Sequence, residues 1–211
     1  MTMVNLFFDH SQFLCHIAAM RKSTQKRAIE TRDKLINIAV EMIRTNGYEA
    51  LRVEELVMQA GVAKGTFFAH FKDKDSLMDL LIGDEINRHL DQLEHVPAPK
   101  DVSDMTDQLL PLLHFMSSER YVFDVILRRS GAAAIEEIGP IATTFGRFEE
   151  IVGQWLNNGH FRSDVPLYIL VEGIEALLMQ ALALNFCALH NNLPIKERFY
   201  PYLKAWLMPH L

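Results

Sequence analysis

The stretch from Gln59 to Phe71, Gln-Ala-Gly-Val-Ala-Lys-Gly-Thr-Phe-Phe-Ala-His-Phe, constrains this chain more than any other. It follows the apolar-periodic segment Val53 to Val57 and reads as a short helix, a tight turn containing Gly61, and a second short helix. The second helix carries small and polar groups on one side. A rod that slender can enter the major groove of a duplex, so the spacing predicts a helix-turn-helix.

Helical periodicity covers nearly all the remaining sequence and β-type alternation is almost absent, which predicts an all-α fold. The first helix is expected from about Thr31, a good N-cap with Asp33 in the first turn, to Thr45. Leu35, Ile36, Ala39, Val40 and Ile43 form its stripe, and Gly47 sits at its end. The second helix is expected over 53–60 and the third over 63–70, with Phe67 and Phe71 plugging a small core beside Leu56 and Val62. Asp75-Ser76 then opens a long helix to His95, and Val96-Pro97-Ala98-Pro99 is the clearest linker. Further helices are expected over 101–116 and from Ser117-Ser118-Glu119 to Ser130. Another runs over 132–157 with a break or kink at Gly139-Pro140.

Residues 165–189 are apolar almost all round, but Glu172, Glu175 and Gln180 would sit in the middle of any membrane span. A central helix buried on two sides, with no membrane partner, is the expectation. Pro194 starts the last helix, bent at Pro201 and ended by Pro209. The expected organisation is an N-terminal arm over 1–24, a three-helix DNA-binding head over 25–75, and a larger helical ligand-binding and dimerisation bundle over 76–211. The arm is either disordered or docked on the body, and Met20 is an alternative start. It has no basic region ahead of its apolar residues, which argues against a signal peptide.

The net charge of −6 conceals an asymmetry. Residues 21–75 hold 11 Lys/Arg against 8 Asp/Glu, whereas 76–211 hold 10 against 18. The basic N-terminal part is suited to phosphate and the acidic remainder is not. Cys15 and Cys187 lie far apart in no metal-ligand spacing, consistent with a reduced, cytoplasmic setting without disulfides.

Thr31-Arg32, Gly47-Tyr48, Ala60-Gly61-Val62, Gly65-Thr66, His70-Phe71 and Lys74-x-x-Leu77 stand at fixed offsets over residues 31–80. This region resembles the N-terminal domain of tetracycline-repressor (TetR) family regulators. The resemblance implies a homodimeric, ligand-responsive transcriptional regulator, a repressor of a roughly palindromic double-stranded DNA operator. Together with helix geometry it implies DNA contacts at Thr31, Arg52, Ala63, Lys64, Gly65, Thr66, Phe68, Ala69, His70 and Lys74. Lys64 can donate to guanine or phosphate, Thr66 can meet a base edge, and His70 and Lys74 flank the groove near the amides of the next helix. Lys64 and Thr66 could also be plain helix surface, and Phe68 could stack on sugar or complete the core. Phe68 replaces the family's usual tyrosine, Ala63 its capping serine or threonine, and Arg52 a capping threonine.

No nucleophile–base pair or metal constellation stands out, so neither enzyme activity nor cofactor is expected. Glu85, His89 and His95 read as surface, and Glu136-Glu137 and Glu149-Glu150 as surface charge. An apolar ligand pocket is expected from Leu113, His114, Phe123, Leu127, Thr144, Phe148, Met179, Leu182 and Phe186, with His114 either lining the cavity or satisfied in the core. The dimer interface is expected at Ile174, Leu178, Ala181, Phe199, Leu203 and Trp206. The rival readings are a helical enzyme and a protein-interaction module that retain the helix-turn-helix.

Overall fold

The helical period recurs because apolar residues three and four apart must share one buried face. A computed structural model of the protein describes residues 10–130, 138–158, 161–190 and 192–208, and these hold nine α-helices and no strand. They are α1 (His10–Asn46), α2 (Val53–Ala60), α3 (Lys64–His70), α4 (Lys74–His95), α5 (Val102–Met116), α6 (Arg120–Arg129), α7 (Pro140–Asn158), α8 (Leu167–Asn185) and α9 (Ile195–Leu207). Two compact units form. The first joins α1 up to Thr45 with Leu51–His70, and the second joins Asn46–Ala50 with the chain from Phe71 onward.

In the first unit Leu35, Ala39 and Met42 of α1, Leu51, Leu56 and Ala60 around α2, and Phe67 of α3 are buried. Burying each large side chain contributes about 1.5–3 kcal/mol, enough to hold three short rods together. Helix α2 stops at Gly61, whose φ of 63° is the left-handed conformation that a side chain disfavours. The Gly61 and Val62 amides donate to Met58 and Val57 carbonyls at 3.1 and 3.0 Å, which closes the turn.

Thr31 does not cap the first helix. Helix α1 begins at His10, no Gly or Pro interrupts its first three turns, and Thr31 Oγ1 donates back to the Arg27 carbonyl at 2.8 Å within it. Residues 10–24 of the expected arm are therefore helical, and residues 1–9 lie outside the described residues. The first unit ends at His70, ahead of the expected boundary at 75, because the apolar face of α4 belongs to the second unit.

Helix α4 is the axis of the second unit and packs against α5, α6 and α7. Its buried stripe is Leu77, Met78, Leu81, Ile82, Ile86, Leu90 and Leu93, interrupted by one charged residue, Asp79. Asp79 is only 4% exposed and accepts a 3.0 Å hydrogen bond from the Ile141 amide in the first turn of α7. Arg129, at the end of α6, lies 3.8 Å from its other oxygen. One carboxylate thus ties three helices. A second carboxylate, Glu119 ahead of α6, accepts from the Tyr48 and Glu49 amides at 2.9 and 3.1 Å and fixes the loop that follows α1. That loop turns at Gly47, with φ of 84°.

Helix α7 starts at Pro140, so of the two expectations for Gly139-Pro140 the break holds; residues 132–137, Glu136 and Glu137 among them, lie outside the described residues. Helix α8 is shorter than its apolar run, because Pro166 precedes it and Cys187 to Leu189 form turns. It packs against α9 and α7, and Trp206 Nε1 of α9 donates to the Leu170 carbonyl at 3.0 Å. Pro194 stands one position outside α9, and Pro201 is accommodated within it, while Pro209 lies outside the described residues.

Replacing Asp79 by Ala strands the buried Ile141 amide and leaves Arg129 with Asp73 alone, 3.9 Å away. The expected cost is about 2–4 kcal/mol of unfolding free energy, read as a lower denaturant midpoint at unchanged slope.

Candidate nucleic-acid interface and ligand crevice

Burial sorts the residues of α3 cleanly. Phe67 is fully buried, while Lys64, Gly65, Phe68 and Ala69 are exposed and Thr66 and His70 half-buried. At 100° per residue the four exposed positions form one outward stripe opposite Phe67. Gly65 has open space around it, so a partner's backbone can approach closely. Phe68 is 49% exposed and meets Phe67 edge-to-face at 5.3 Å, so it belongs to the surface and not to the core. Ala63, exposed just ahead of α3, offers no side-chain cap; its carbonyl accepts from the Thr66 amide at 2.9 Å instead.

Lys64 does not project alone, because its ammonium is paired with Glu54 of α2. Both side chains are more than half exposed, and such a pair is readily exchanged for phosphate. The Lys64 ammonium holds the Glu54 carboxyl below its ordinary range. Glu54 is a residue the motif reading missed, since nothing in linear spacing shows that position 54 reaches position 64. Arg52 is exposed ahead of α2 and donates to its neighbour Leu51 at 3.2 Å, with no capping bond. Thr31 is half-buried on α1 with its hydroxyl engaged.

Lys74 and the start of α4 depart from expectation. Lys74 Nζ sits 4.6 Å above the Tyr121 ring and donates to the Glu49 carbonyl at 3.3 Å, so its charge is engaged within the second unit. The first turn of α4 is acidic, and the Ser76 amide is taken by Asp73 at 2.7 Å. One amide of that helix end is thus taken by the chain's own carboxylate, and Asp75 adds a second negative charge there.

In the second unit a narrow crevice of about 20 Å³, partly open to solvent, lies among four helices. Ile86 and Leu90 come from α4, Leu112 and Met116 from α5, Thr144, Phe145 and Phe148 from α7, and Glu175 and Leu178 from α8. Of the residues expected here, Thr144 and Phe148 line it. Leu113, Phe123 and Leu182 are buried elsewhere in the core, Leu127 is 45% exposed, and Met179 and Phe186 face away, with Phe186 stacked on Phe123. His114 is exposed and neither lines a cavity nor sits in the core, because α5 turns its apolar face the other way.

Glu175 is the one acid in the crevice. Burial, then the neighbouring Glu149 and Glu172 carboxylates, push it up to about 7. The dimer residues are also placed differently. Ile174, Leu178, Ala181, Phe199 and Leu203 are buried inside the chain's own core, and Trp206 is half-buried against α8. The uncovered surface of α8 instead carries Tyr168, Glu172, Ala176, Gln180 and Ala183.

Glu85 is held by Arg88, with His89 Nε2 3.7 Å away, and His95 Nδ1 meets the Asp91 carbonyl at 2.6 Å. Among the described residues no group of three or more metal-ligating side chains converges. Leu167–Asn185 is long and apolar enough to cross a membrane by length and composition, with a mean hydropathy of 1.7, but it contains Glu172 and Glu175 and packs against α5, α7 and α9.

Residues 35–81 match the family model of bacterial regulatory proteins, tetR family. The chain is 34% identical over 61 residues to the fatty acid metabolism regulator protein of Bacillus subtilis, a match covering 29% of this chain and 31% of that relative. It is 28% identical over 165 residues to the HTH-type transcriptional repressor KstR2 of Mycolicibacterium smegmatis, covering 74% of this chain and 80% of that repressor. The structure of Thermus thermophilus FadR, a TetR-family repressor in complex with lauroyl-CoA, shares the fold with a TM-score of 0.61 at 15% identity, over 83% of this chain and 92% of that one. The chain spans about a third to a half of the length of the first curated relatives it matches. Residues 35–81 thus carry the helix-turn-helix domain of the tetR-family model, and the chain as a whole shares the fold of the TetR-family repressor structure.

Two outcomes follow. Glu54→Gln frees Lys64 and removes a negative charge from the exposed face, so affinity for random duplex should rise severalfold at low salt, measured by fluorescence anisotropy. Glu175, with its folded pKa raised above the ordinary value of 4.5, binds more protons folded than unfolded. Its contribution therefore turns unfavourable as pH rises from about 4.5 and is fully so above about 7. Glu175→Gln should raise the melting temperature at pH 8 and leave it nearly unchanged at pH 4.

Proposed function

We infer that this protein is a ligand-responsive, DNA-binding transcriptional repressor acting as a homodimer in the cytoplasm, and not an enzyme. The observation that carries the reading is the outward stripe Lys64, Gly65, Phe68 and Ala69, held by the Gly61 turn and the buried Phe67. Thr66 and His70 border it. Lys64 exchanges Glu54 for a base edge or phosphate, and Phe68 supplies an apolar surface for a thymine methyl or sugar. Arg52 adds a phosphate contact at the start of α2.

One head reads only a few base pairs, so two copies gain affinity and specificity by pairing. The exposed face of α8, with the small residues Ala176 and Ala183, allows a second α8 to approach closely, and the buried residues beneath it keep the helix rigid. Two-fold symmetry then calls for a roughly palindromic operator with heads about 34–36 Å apart. The effector site is the crevice among α4, α5, α7 and α8. Its lining suits a largely apolar molecule, which the closely packed crevice admits only by widening. Occupancy favours a head spacing that no longer matches adjacent grooves, and a differential affinity of a few kcal/mol between the two states releases DNA. The relative bound to lauroyl-CoA supports a small-molecule effector in this family.

Sites selected by the purified protein from genomic fragments should be palindromic, and binding should weaken steeply between 50 and 200 mM salt, by about 10³-fold or more for several phosphate contacts. Lys64→Ala should lower affinity for the selected site about tenfold. Sedimentation should show a dimer that Ala176→Arg converts to monomer. Salt-independent binding, or binding indifferent to Lys64, would overturn the reading.

A further inference from the structure

A second cavity in the same unit is far roomier than the narrow crevice. It holds about 220 Å³, partly open to solvent, between the C-terminal half of α4 and the middle of α5. Leu93, Val96, Pro111 and Leu112 make its apolar wall, and His89 and Gln108 belong to its polar lining. An apolar cavity of about 150 Å³ already admits benzene, so this one has room for a single substituted ring or its alkyl equivalent.

The polar lining is incompletely bonded. Gln108 Nε2 donates to the Pro97 carbonyl at 3.2 Å and to Asp104 Oδ1 at 3.3 Å, which fixes the orientation of the amide. His89 lies flat against Phe115 with ring centroids 5.7 Å apart, and its side chain is 11% exposed. Gln108 Oε1 and His89 Nδ1 are buried, and neither has a partner among the described residues. Asp107 also lines the cavity, and Pro111 has no N–H to return to its carbonyl, so a third acceptor there lacks its helical donor. A buried polar atom left unpaired costs about 1–3 kcal/mol, and several on one wall mark a place where another molecule completes the bonding.

The charges around the cavity are already balanced. Arg88 is paired with Glu85 and Lys196 with Asp107, while Asp104 accepts from the Lys100 amide and from Gln108. Burial, and then the Arg88 charge, hold His89 below its ordinary range, so it is neutral at pH 7. A ligand carboxylate would face the Gln108 oxygen, and an ammonium would lose its hydration without gaining a counter-charge. A neutral hydroxyl fits both orphaned atoms. Arg88, the nearer of the two groups on His89 Nε2 at 3.5 Å, can only donate, so Nε2 accepts and Nδ1 carries the proton. The hydroxyl then donates to Gln108 Oε1 and accepts from His89 Nδ1.

We propose that the cavity between α4 and α5 is a second small-molecule site, which takes a neutral hydroxyl compound with a compact apolar body, a phenol or an alcohol, and holds its hydroxyl on Gln108 and His89. Of its lining, only Leu112 also lines the effector crevice, and the proposal does not rest on the reading of that crevice.

The test uses one body with four head groups: 4-ethylphenol, ethylbenzene, 4-ethylbenzoate and 4-ethylbenzylammonium, each titrated calorimetrically into the full chain without DNA. 4-Ethylphenol should bind about tenfold or more tightly than ethylbenzene, and neither charged probe should bind measurably. Gln108→Leu should remove most of that preference while ethylbenzene binding persists. His89→Phe, which keeps a ring against Phe115, should do the same independently. Phe148→Trp, which fills the crevice, should leave the affinity for 4-ethylphenol unchanged. No binding by any probe would mean that ordered water alone completes the wall, and would overturn the proposal. Equal affinity for 4-ethylphenol and ethylbenzene, tighter binding of a charged probe, or a preference unaltered in both cavity variants would overturn it too. Loss of 4-ethylphenol binding in Phe148→Trp, with both cavity variants unaffected, would move the ligand to the crevice, supporting the effector reading and sinking this one.

Discussion

A carboxylate buried among aliphatic side chains is the interaction on which the body depends. Asp79 sits in the apolar stripe of α4, where an uncompensated charge would be costly, and it is compensated from two directions. The Ile141 amide at the start of α7 donates to it, and the Arg129 guanidinium at the end of α6 lies between it and Asp73. Three helices that could otherwise slide along one another on interchangeable Leu and Ile contacts are thereby set in one register. Once α7 is fixed against α4, Phe145 and Phe148 stand opposite Ile86 and Leu90, and the crevice exists.

The first unit follows the opposite logic, since its outward face is weakly held. Lys64 is paired with an exposed Glu54, and Phe68 rests on Phe67 without being enclosed. A surface meant to trade its own contacts for those of a partner gains from partners that are easily displaced. Lys74 shows the contrast. A cation seated on an aromatic ring and a carbonyl is structural, and the same residue type a few positions from Lys64 has a different task. The acidic first turn of α4 beside it completes the separation of charge that the sequence shows only as a sum.

The helix-turn-helix was legible because its determinants are local. A left-handed glycine, a short apolar repeat and two phenylalanines leave few alternatives over Val53 to Phe71. Helix ends were less so. Thr31 has the chemistry of a cap, but a cap forms only where the preceding chain leaves the helix, and residues before it stay helical. The pocket and dimer residues were the least legible. On a helix apolar all round such as α8, periodicity cannot say which side meets α9 and which is left uncovered. Hence Leu178 and Ile174 were expected at a surface and are core, and Glu175 was taken only as an argument against a membrane span.

The sequence by itself determined the all-α class, the turn at Gly61, the outward position of Lys64 and Gly65, and the split between a basic head and an acidic body. Each of these follows from residues within a few turns of one another or from composition. Only the tertiary structure decided that Glu54 holds Lys64, that Lys74 is engaged by Tyr121, that Asp79 ties α4 to α6 and α7, and that Glu175 lies beside an apolar crevice. Those pairings join positions far apart in the chain, and distance in space between such positions is set by packing, which no local pattern encodes.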